Sequence, residues 1–369
     1  MLINYIIKLN NMLKQNSQKS VILGMSGGVD SSVAALLLKE QGYHVKGVAL
    51  KLWAYKSENP CCSTEDINDA GMTARQLGID FEVIDMQEEF RQSVVGYYIK
   101  ELSSGRTPNP CIVCNDHLKF GLLLDYVLKN NYDYVATGHY ARIRSDEKGF
   151  HLKKAIDGNK DQSYFLFLLD QKRLSRILFP LGELDKNTVR DIARRAELIT
   201  CSKRDSQELC FLPAGGFGEF SKEYTNMDLR AGKIINRDGA TVGTHRGLPF
   251  YTIGQRRGIG VYTNTPVYVI DKNVFDNSIM VDGMEGLMAD TFTAKDVHWT
   301  SGKEPDLPFY ANVRIRYRQK EKKAEIRRKN DMLIIQFSVP QRAITPGQAV
   351  VFYDDDEVLG GGWIGEVKR

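Results

Sequence analysis

Gly24-Met25-Ser26-Gly27-Gly28-Val29-Asp30-Ser31-Ser32 is the stretch on which the reading of this chain turns. It lies between a short apolar run at 21–25 and a helix-periodic stretch at about 31–41. Adjacent glycines let a backbone turn sharply and approach a ligand closely. Unbonded N–H groups at a helix start, serine hydroxyls and the helix dipole together favour an anion such as pyrophosphate. No Gly-Lys-Ser/Thr follows, so the loop is not a Walker A motif. A glycine turn before a capped helix is also an ordinary connection, and the surroundings must decide.

Working outward, strand-like runs at 44–53, 81–86 and 134–139 alternate with helical patterns at 63–78, 88–103 and 117–129. Ser63 reads as an N-cap, with Asp66 three residues on. Further helical patterns follow at 172–179 and 187–198. Such alternation predicts an α/β fold with a doubly wound parallel sheet and ligands at the carboxyl ends of its strands. Beyond about 213 the helical period fades, and turns such as Arg237-Asp238-Gly239 separate short β-rich runs. From about 292 strand follows strand, including 350–353. The expected organisation is a flexible tail at 1–18, a nucleotide-binding catalytic domain at 19–212, a small central β-rich domain at 213–288 and a C-terminal β-barrel at 289–369.

The 369 residues are 42% hydrophobic and 26% charged, which is ordinary globular composition. No run reaches the roughly 18 apolar residues of a membrane helix. The N-terminus lacks a basic leader and a small-residue cleavage site, so it does not read as a signal peptide. Six cysteines are too few for a disulfide scaffold in a chain of this length. A monomer in a reducing cytoplasm, away from membranes, is expected. The formal charge is only +4, but 313–328 (VRIRYRQKEKKAEIRR) holds eight Lys and Arg against two Glu. Arg314, Arg316 and Arg318 alternate with Val313, Ile315 and Tyr317. Strand periodicity would set those arginines on one face, roughly 7 Å apart, as a phosphate-tracking surface. Arginines kept for solubility are the plainer alternative.

The string SGGVDSS, at the first strand–helix junction, resembles the PP-loop of ATP pyrophosphatases. That resemblance implies ATP, cleaved between its α and β phosphates, with a substrate adenylated and pyrophosphate released. It assigns Gly24, Met25, Ser26, Gly27, Gly28, Val29, Asp30, Ser31 and Ser32 to ATP binding, Asp30 placing Mg²⁺. Leu50 and Gly138 lie where adenosine would pack.

The cysteines narrow the chemistry. Cys111 and Cys114 lie in Gly105-Arg106-Thr107-Pro108-Asn109-Pro110-Cys111-Ile112-Val113-Cys114-Asn115, read as a proline-studded loop between helices. Cys210 lies in Asp205-Ser206-Gln207-Glu208-Leu209-Cys210-Phe211. Thiolates on polar loops serve as nucleophiles or sulfur carriers, whereas cysteines in apolar strands are usually inert. Cys61, Cys62 and Cys201 are expected to be structural.

Together with ATGHY (136–140), NKDQSYFL (159–166), TIGQRRGIG (252–260), RYRQ (316–319) and TPGQ (345–348), these strings resemble the bacterial tRNA-specific 2-thiouridylases over nearly the whole chain. That resemblance implies ATP-dependent 2-thiolation of the wobble uridine in tRNAs for lysine, glutamate and glutamine. It makes Cys114 the nucleophile and Cys210 the persulfide carrier, the two able to form a disulfide. Asn109, Pro110 and position 111 would surround the base. His139, Lys160, Asp161, Gln162, Arg316, Tyr317 and Gln348 would contact tRNA. A cysteine desulfurase or sulfur-relay protein would be the donor. Position 111, commonly Asp in this family, is Cys here. Three thiolates at 111, 114 and 210 open a second route, a [4Fe–4S] cluster with one iron lacking a protein ligand. Alternatives are another PP-loop tRNA thiolase using such a cluster, or a non-catalytic nucleotide-gated RNA-binding protein. A 4-thiouridine synthetase would carry an RNA-binding domain ahead of the loop, where 23 residues stand here.

Overall fold

A computed structural model describes residues 16, 18–53, 64–204, 209–213, 215–227 and 229–369. Its described residues fall into two compact units, one drawn from Met1–Ser93, Cys111–Ala214 and Asp356–Val358, the other from Val94–Pro110, Gly215–Asp355 and Leu359–Arg369.

The first unit begins with β1 (Ser20–Gly24), whose Val21, Ile22 and Leu23 are fully buried. Helix α1 (Val29–Glu40), β2 (His44–Lys51), α2 (Thr64–Leu77) and β3 (Asp80–Asp85) follow. Helix α2 ends in a Schellman turn: Gly78 takes φ +63°, its N–H donates to Arg75 and the Ile79 N–H to Ala74. The expected cap, Ser63, lies outside the described residues.

The helix expected at 88–103 is interrupted. Helix α3 (Gln87–Phe90), a π-turn at Arg91–Val95 and α4 (Gly96–Ser103) occupy it, the last in the second unit. The helix expected at 117–129 starts earlier, at Pro110, whose missing N–H costs nothing in a first turn. It runs as α5 (Pro110–Val113), nine π-helical residues at Cys114–Leu122, then α6 (Leu123–Lys129).

Strand β4 (Tyr134–Thr137) is followed by a hairpin, β5 (Ala141–Asp146) and β6 (Gly149–Lys154), that sequence periodicity did not predict. The pattern at 172–179 gives one helical turn, α7 (Gln171–Leu174), then a short strand, β7 (Ile177–Leu178); helix α8 (Lys186–Arg195) completes the series. The main sheet is parallel, in the order β3-β2-β1-β4-β7. Its strand order reverses between β1 and β4, where a crevice opens at the carboxyl ends. Helix α1 packs against α2 and α8. Val21, Leu23, Val33, Ala34, Ala136 and Val189 belong to the core beneath.

In the second unit, α9 (Phe217–Tyr224) precedes β8 (Gly232–Ile235), β9 (Thr241–His245), β10 (Tyr268–Asn273) and β11 (Ser278–Asp282). They form a sheet ordered β10-β11-β8-β9 around Ile234, Val269, Ile279 and Val281. Strands β12 (Met288–Trp299), β13 (Phe309–Arg314), β14 (Lys322–Lys329), β15 (Met332–Arg342), β16 (Ala349–Asp354) and β17 (Glu357–Lys368) run β12-β15-β14-β13-β16-β17. Pairing of β12 with β17 closes them into a six-stranded antiparallel barrel, filled by Phe292, Ile326, Ile335, Phe352 and Ile364. Closure leaves the six barrel strands no open edge among themselves.

The alternating arginine face is overturned. Strand β13 stops at Arg314, and Val313, Arg314 and Ile315 are all buried in succession. Arg314 pairs with Glu321 at 3.0 Å and lies over the Tyr353 ring, 5.0 Å from its centroid. With the strand ended, residues 315–319 turn, and the period of two no longer applies.

Candidate active site

The loop between β1 and α1 has the conformation its residues favour. Gly27 holds φ +69°, and a Cβ there would come within 2.1 Å of the Asp66 carbonyl oxygen, so only glycine fits. Gly28 is the N-cap of α1, in extended conformation and without a side-chain cap. Ser31 and Ser32 donate their hydroxyls to its carbonyl at 3.1 and 3.0 Å. The Ser31 hydroxyl also accepts from the Ser26 N–H at 3.2 Å. The first N–H groups of α1 thus border a cavity of about 260 Å³. Gly24, Met25, Ser26, Asp30 and Ser31 line one side, Leu50, Leu52 and Ile67 an apolar side, and Lys119, Gly138, His139 and Gln162 the remainder. Gly138 packs directly on the loop: a Cβ there would meet the backbone of Asp30 and Ser31 at 3.0 Å.

Asp30 is engaged from within. Its Oδ1 accepts from Lys186 Nζ at 2.7 Å and from the Tyr140 hydroxyl at 2.7 Å, and its Oδ2 accepts from Lys186 at 2.8 Å. Lys186 is buried at the first position of α8, where the helix dipole disfavours a cation, so the Asp30 carboxylate compensates it. Lys186 and Tyr140 take three of the roughly four lone-pair sites of Asp30, so a Mg²⁺ ion held directly by it would compete with the Lys186 ammonium. Lys186 and Tyr140 escaped the sequence reading. The one available signal was a lysine immediately after the capping Asp185.

His139 Nδ1 lies 2.7 Å from Thr137 Oγ1, and its ring sits against Phe120 and Phe179. Burial, then the Lys119 charge, hold its pKa well below the ordinary histidine value, so the ring is neutral. His139 is therefore part of the cavity wall. Gln162 anchors the same wall: its Oε1 accepts from the Tyr140 N–H at 2.9 Å.

Cys111 and Cys114 are on a helix and not a loop, whereas Cys210 lies in a turn, as expected. Cys111 is exposed on α5, and Cys114, buried, opens the π-helical segment. Burial pushes the Cys114 thiol up, and the Lys119 charge opposes that. Neighbouring Asn115 donates to the Phe165 carbonyl at 3.3 Å, and Asp116 pairs with Arg173. Cys210 is half-buried beside Phe211, whose ring packs on Phe90 of α3 and on Trp53. Helix α3 in turn packs against the π-helical segment. None of Cys111, Cys114, Cys201 and Cys210 is in a disulfide. Among the described residues no group of three His, Cys, Asp or Glu is disposed to hold a metal ion. With one thiol exposed and the next buried, Cys111, Cys114 and Cys210 do not fit a [4Fe–4S] cluster. Cys61, Cys62 and Asp205–Glu208 lie outside the described residues.

Several expected tRNA contacts have internal duties. Asp161 is buried, accepting from the N–H groups of Ala155 and Ser163 and from the Ser163 hydroxyl, so it is not a surface contact. Gln348 donates to the carbonyls of Thr107 and Pro108 at 3.0 and 3.1 Å and fixes the proline-rich segment. Arg316 Nη2 donates to the carbonyls of Ile253 and Ala343 and to Thr345 Oγ1. Lys160 and Asn109 are partly exposed, Pro110 is buried, and Tyr317 is partly exposed in the turn after β13.

A parallel sheet with a glycine–serine loop opening its first helix at the switch point defines an ATP-using α/β domain of the PP-loop type. Residues 19–214 match a sequence family described as a tRNA methyl transferase HUP domain, 218–282 its PRC-barrel domain and 289–364 an aminomethyltransferase β-barrel domain. The tRNA-specific 2-thiouridylase MnmA of Streptococcus mutans is 43% identical over 95% of this chain and 96% of its own. That of Halalkalibacterium halodurans is 44% identical over 96% and 97%, and that of Streptococcus thermophilus 43% over 97% and 98%. The chain belongs to the tRNA-specific 2-thiouridylase family.

Proposed function

We propose that this protein is a tRNA-uridine 2-sulfurtransferase that uses ATP to replace the 2-oxygen of the wobble uridine with sulfur. The observation that carries the reading is the β1–α1 loop cavity in a chain 43–44% identical, nearly end to end, to relatives named for that activity. The phosphates lie on the Ser26–Ser32 loop, with its hydroxyls and the first N–H groups of α1 as donors. Adenosine packs against Leu50 and Gly138. Lys186 holds Asp30, and through it the start of α1, in register beneath the phosphates.

A uracil 2-carbonyl is a poor electrophile, and attack of its oxygen on the α-phosphorus expels pyrophosphate and makes AMP the later leaving group. The terminal sulfur of a persulfide on Cys210 then attacks C2 and expels AMP. The Cys114 thiolate attacks Cys210 Sγ, breaking the S–S bond; the electron pair leaves on the uridine sulfur and a Cys114–Cys210 disulfide remains. A dithiol reductant restores the pair. Splitting the substitution in this way is covalent catalysis. Cys111 stands where the family's usual Asp would, so no general-base step passes through it.

The finer assignments are equally part of this proposal: a desulfurase or relay protein as donor, tRNAs for lysine, glutamate and glutamine, a monomer, and the cytoplasm. So are a catalytic domain at 19–212, a central domain at 213–288 and a tRNA-binding barrel at 289–369. Among the described residues no helix is long and apolar enough to cross a membrane. The test is pyrophosphate release with unmodified tRNA, paired with mass spectrometry of the product nucleosides. Release that needs tRNA, together with 2-thiouridine, supports the reading; ATP binding with neither product overturns it.

A further inference from the structure

Lys119 lines the nucleotide cavity, and among the described residues no hydrogen bond or ion pair engages its ammonium. Lys119 is only partly buried at the cavity, so its ammonium stays available to an anionic ligand or reacting group there. Its place in the chain is the second observation. Cys114–Leu122 is π-helical over nine residues, and at its end the Leu123 N–H donates to the Leu118 carbonyl, five residues back. In a backbone that bonds residue i to i+5, residues i+4 and i+5 both lie about one turn on, so Lys119 stands one turn from Cys114 beside Leu118, which is fully buried. In an α-helix the neighbours of Cys114 would be residues three and four on, and Lys119 would be turned away from it. The π winding thus brings Lys119 toward the face of Cys114, beside Leu118, instead of turning it away.

We propose that Lys119 is a further functional residue of this site, an ammonium that faces both the nucleotide cavity and Cys114 and stabilises the Cys114 thiolate as it attacks the persulfide sulfur. This inference rests on the reading of Cys114 as the resolving nucleophile. Burial alone would hold Cys114 as an inert thiol, and Lys119 is the charge that opposes burial there. The other charges near it on this segment are otherwise placed, with Asp116 paired to Arg173 and His117 exposed.

The test uses the full-length protein and two readouts: Cys114 alkylation by iodoacetamide, resolved by peptide mass spectrometry, and single-turnover thiolation followed beside pyrophosphate release. Loss of the neighbouring charge lets burial raise the thiol further, so Lys119→Met should slow both Cys114 alkylation and thiolation roughly tenfold. Pyrophosphate release should persist, and Lys119→Arg should restore most of the loss. Lys119→Gln serves if the methionine variant does not fold. Wild-type alkylation and thiolation in Lys119→Met would overturn the inference, as would equal loss of pyrophosphate release and thiolation, which would make Lys119 a nucleotide ligand only. If Cys114→Ser itself thiolates normally, the failure lies in the two-cysteine reading instead.

Discussion

Single side chains decide whether the two thiols and the loop carboxylate act as described. Cys114 is buried and Cys210 half-buried, so their reactivities should differ. Alkylation should label Cys210 well before Cys114, while Cys114→Ser and Cys210→Ser each abolish 2-thiouridine formation and retain ATP binding. Near wild-type thiolation by either variant would disprove the relay. Asp30 is tied to a buried lysine, and removing its charge strands that cation. Allowing for the partial exposure of Asp30, Asp30→Asn should cost about 2 kcal/mol along with tRNA-dependent pyrophosphate release. Adding Lys186→Met should recover part of the stability, a coupling of about 1 kcal/mol in a double-mutant cycle. Strict additivity by urea denaturation would mean the pair does not interact.

Elements carry the next set of consequences. The β1–α1 loop depends on Gly27, because any Cβ there collides with the α2 backbone at Asp66 and strains a positive φ. Gly27→Ala should lower stability by roughly 1–3 kcal/mol and weaken ATP binding, as calorimetry and nucleotide titration would reveal. In the barrel, the turn after β13 is held by Arg316. Truncating it leaves two carbonyls and the Thr345 hydroxyl short of a charged donor, at about 2 kcal/mol. Arg316→Ala should therefore lower Tm by several degrees. If Arg316 also meets a tRNA phosphate, as proposed, the log–log salt slope of tRNA binding should flatten by up to about one unit. An unchanged slope beside a lowered Tm would leave it a purely structural residue.

On the scale of the whole molecule, the chain leaves the first unit after Ser93, returns at Cys111, leaves again after 214 and comes back at Asp356–Val358. Those last three residues are fastened by charge. Asp356 pairs with Arg142 and Lys153, and Glu357 lies 2.7 Å from His151 Nδ1, whose Nε2 reaches Asp146 at 2.9 Å. Glu357, then Asp146, raise the His151 pKa above its ordinary value. A raised folded pKa gives stability that is full below the unfolded histidine value of about 6.5 and is lost as pH rises through the folded value. His151→Gln should accordingly be less stable than wild type near pH 6, with the gap narrowing above neutrality in urea titrations. A gap that widens with pH would refute the linkage.

The sequence alone determined the parallel sheet, the β1–α1 loop and the C-terminal barrel. Glycine turns and the strand–helix alternation are written in local sequence, although the period at 313–318 did not survive packing. The strings around Ser26 and Cys114 were distinctive enough to point to the family. The partner of each polar group was set by packing alone. Asp30 meets Lys186 across 156 residues, and Asp161 and Gln348 turn inward to satisfy buried backbone groups. Arg314 is buried because its strand ends there, and Cys114 sits beside Lys119 because the helix winds as π. Each depends on groups far apart in sequence, or on a ladder register set by packing, and neither leaves a local periodicity to read.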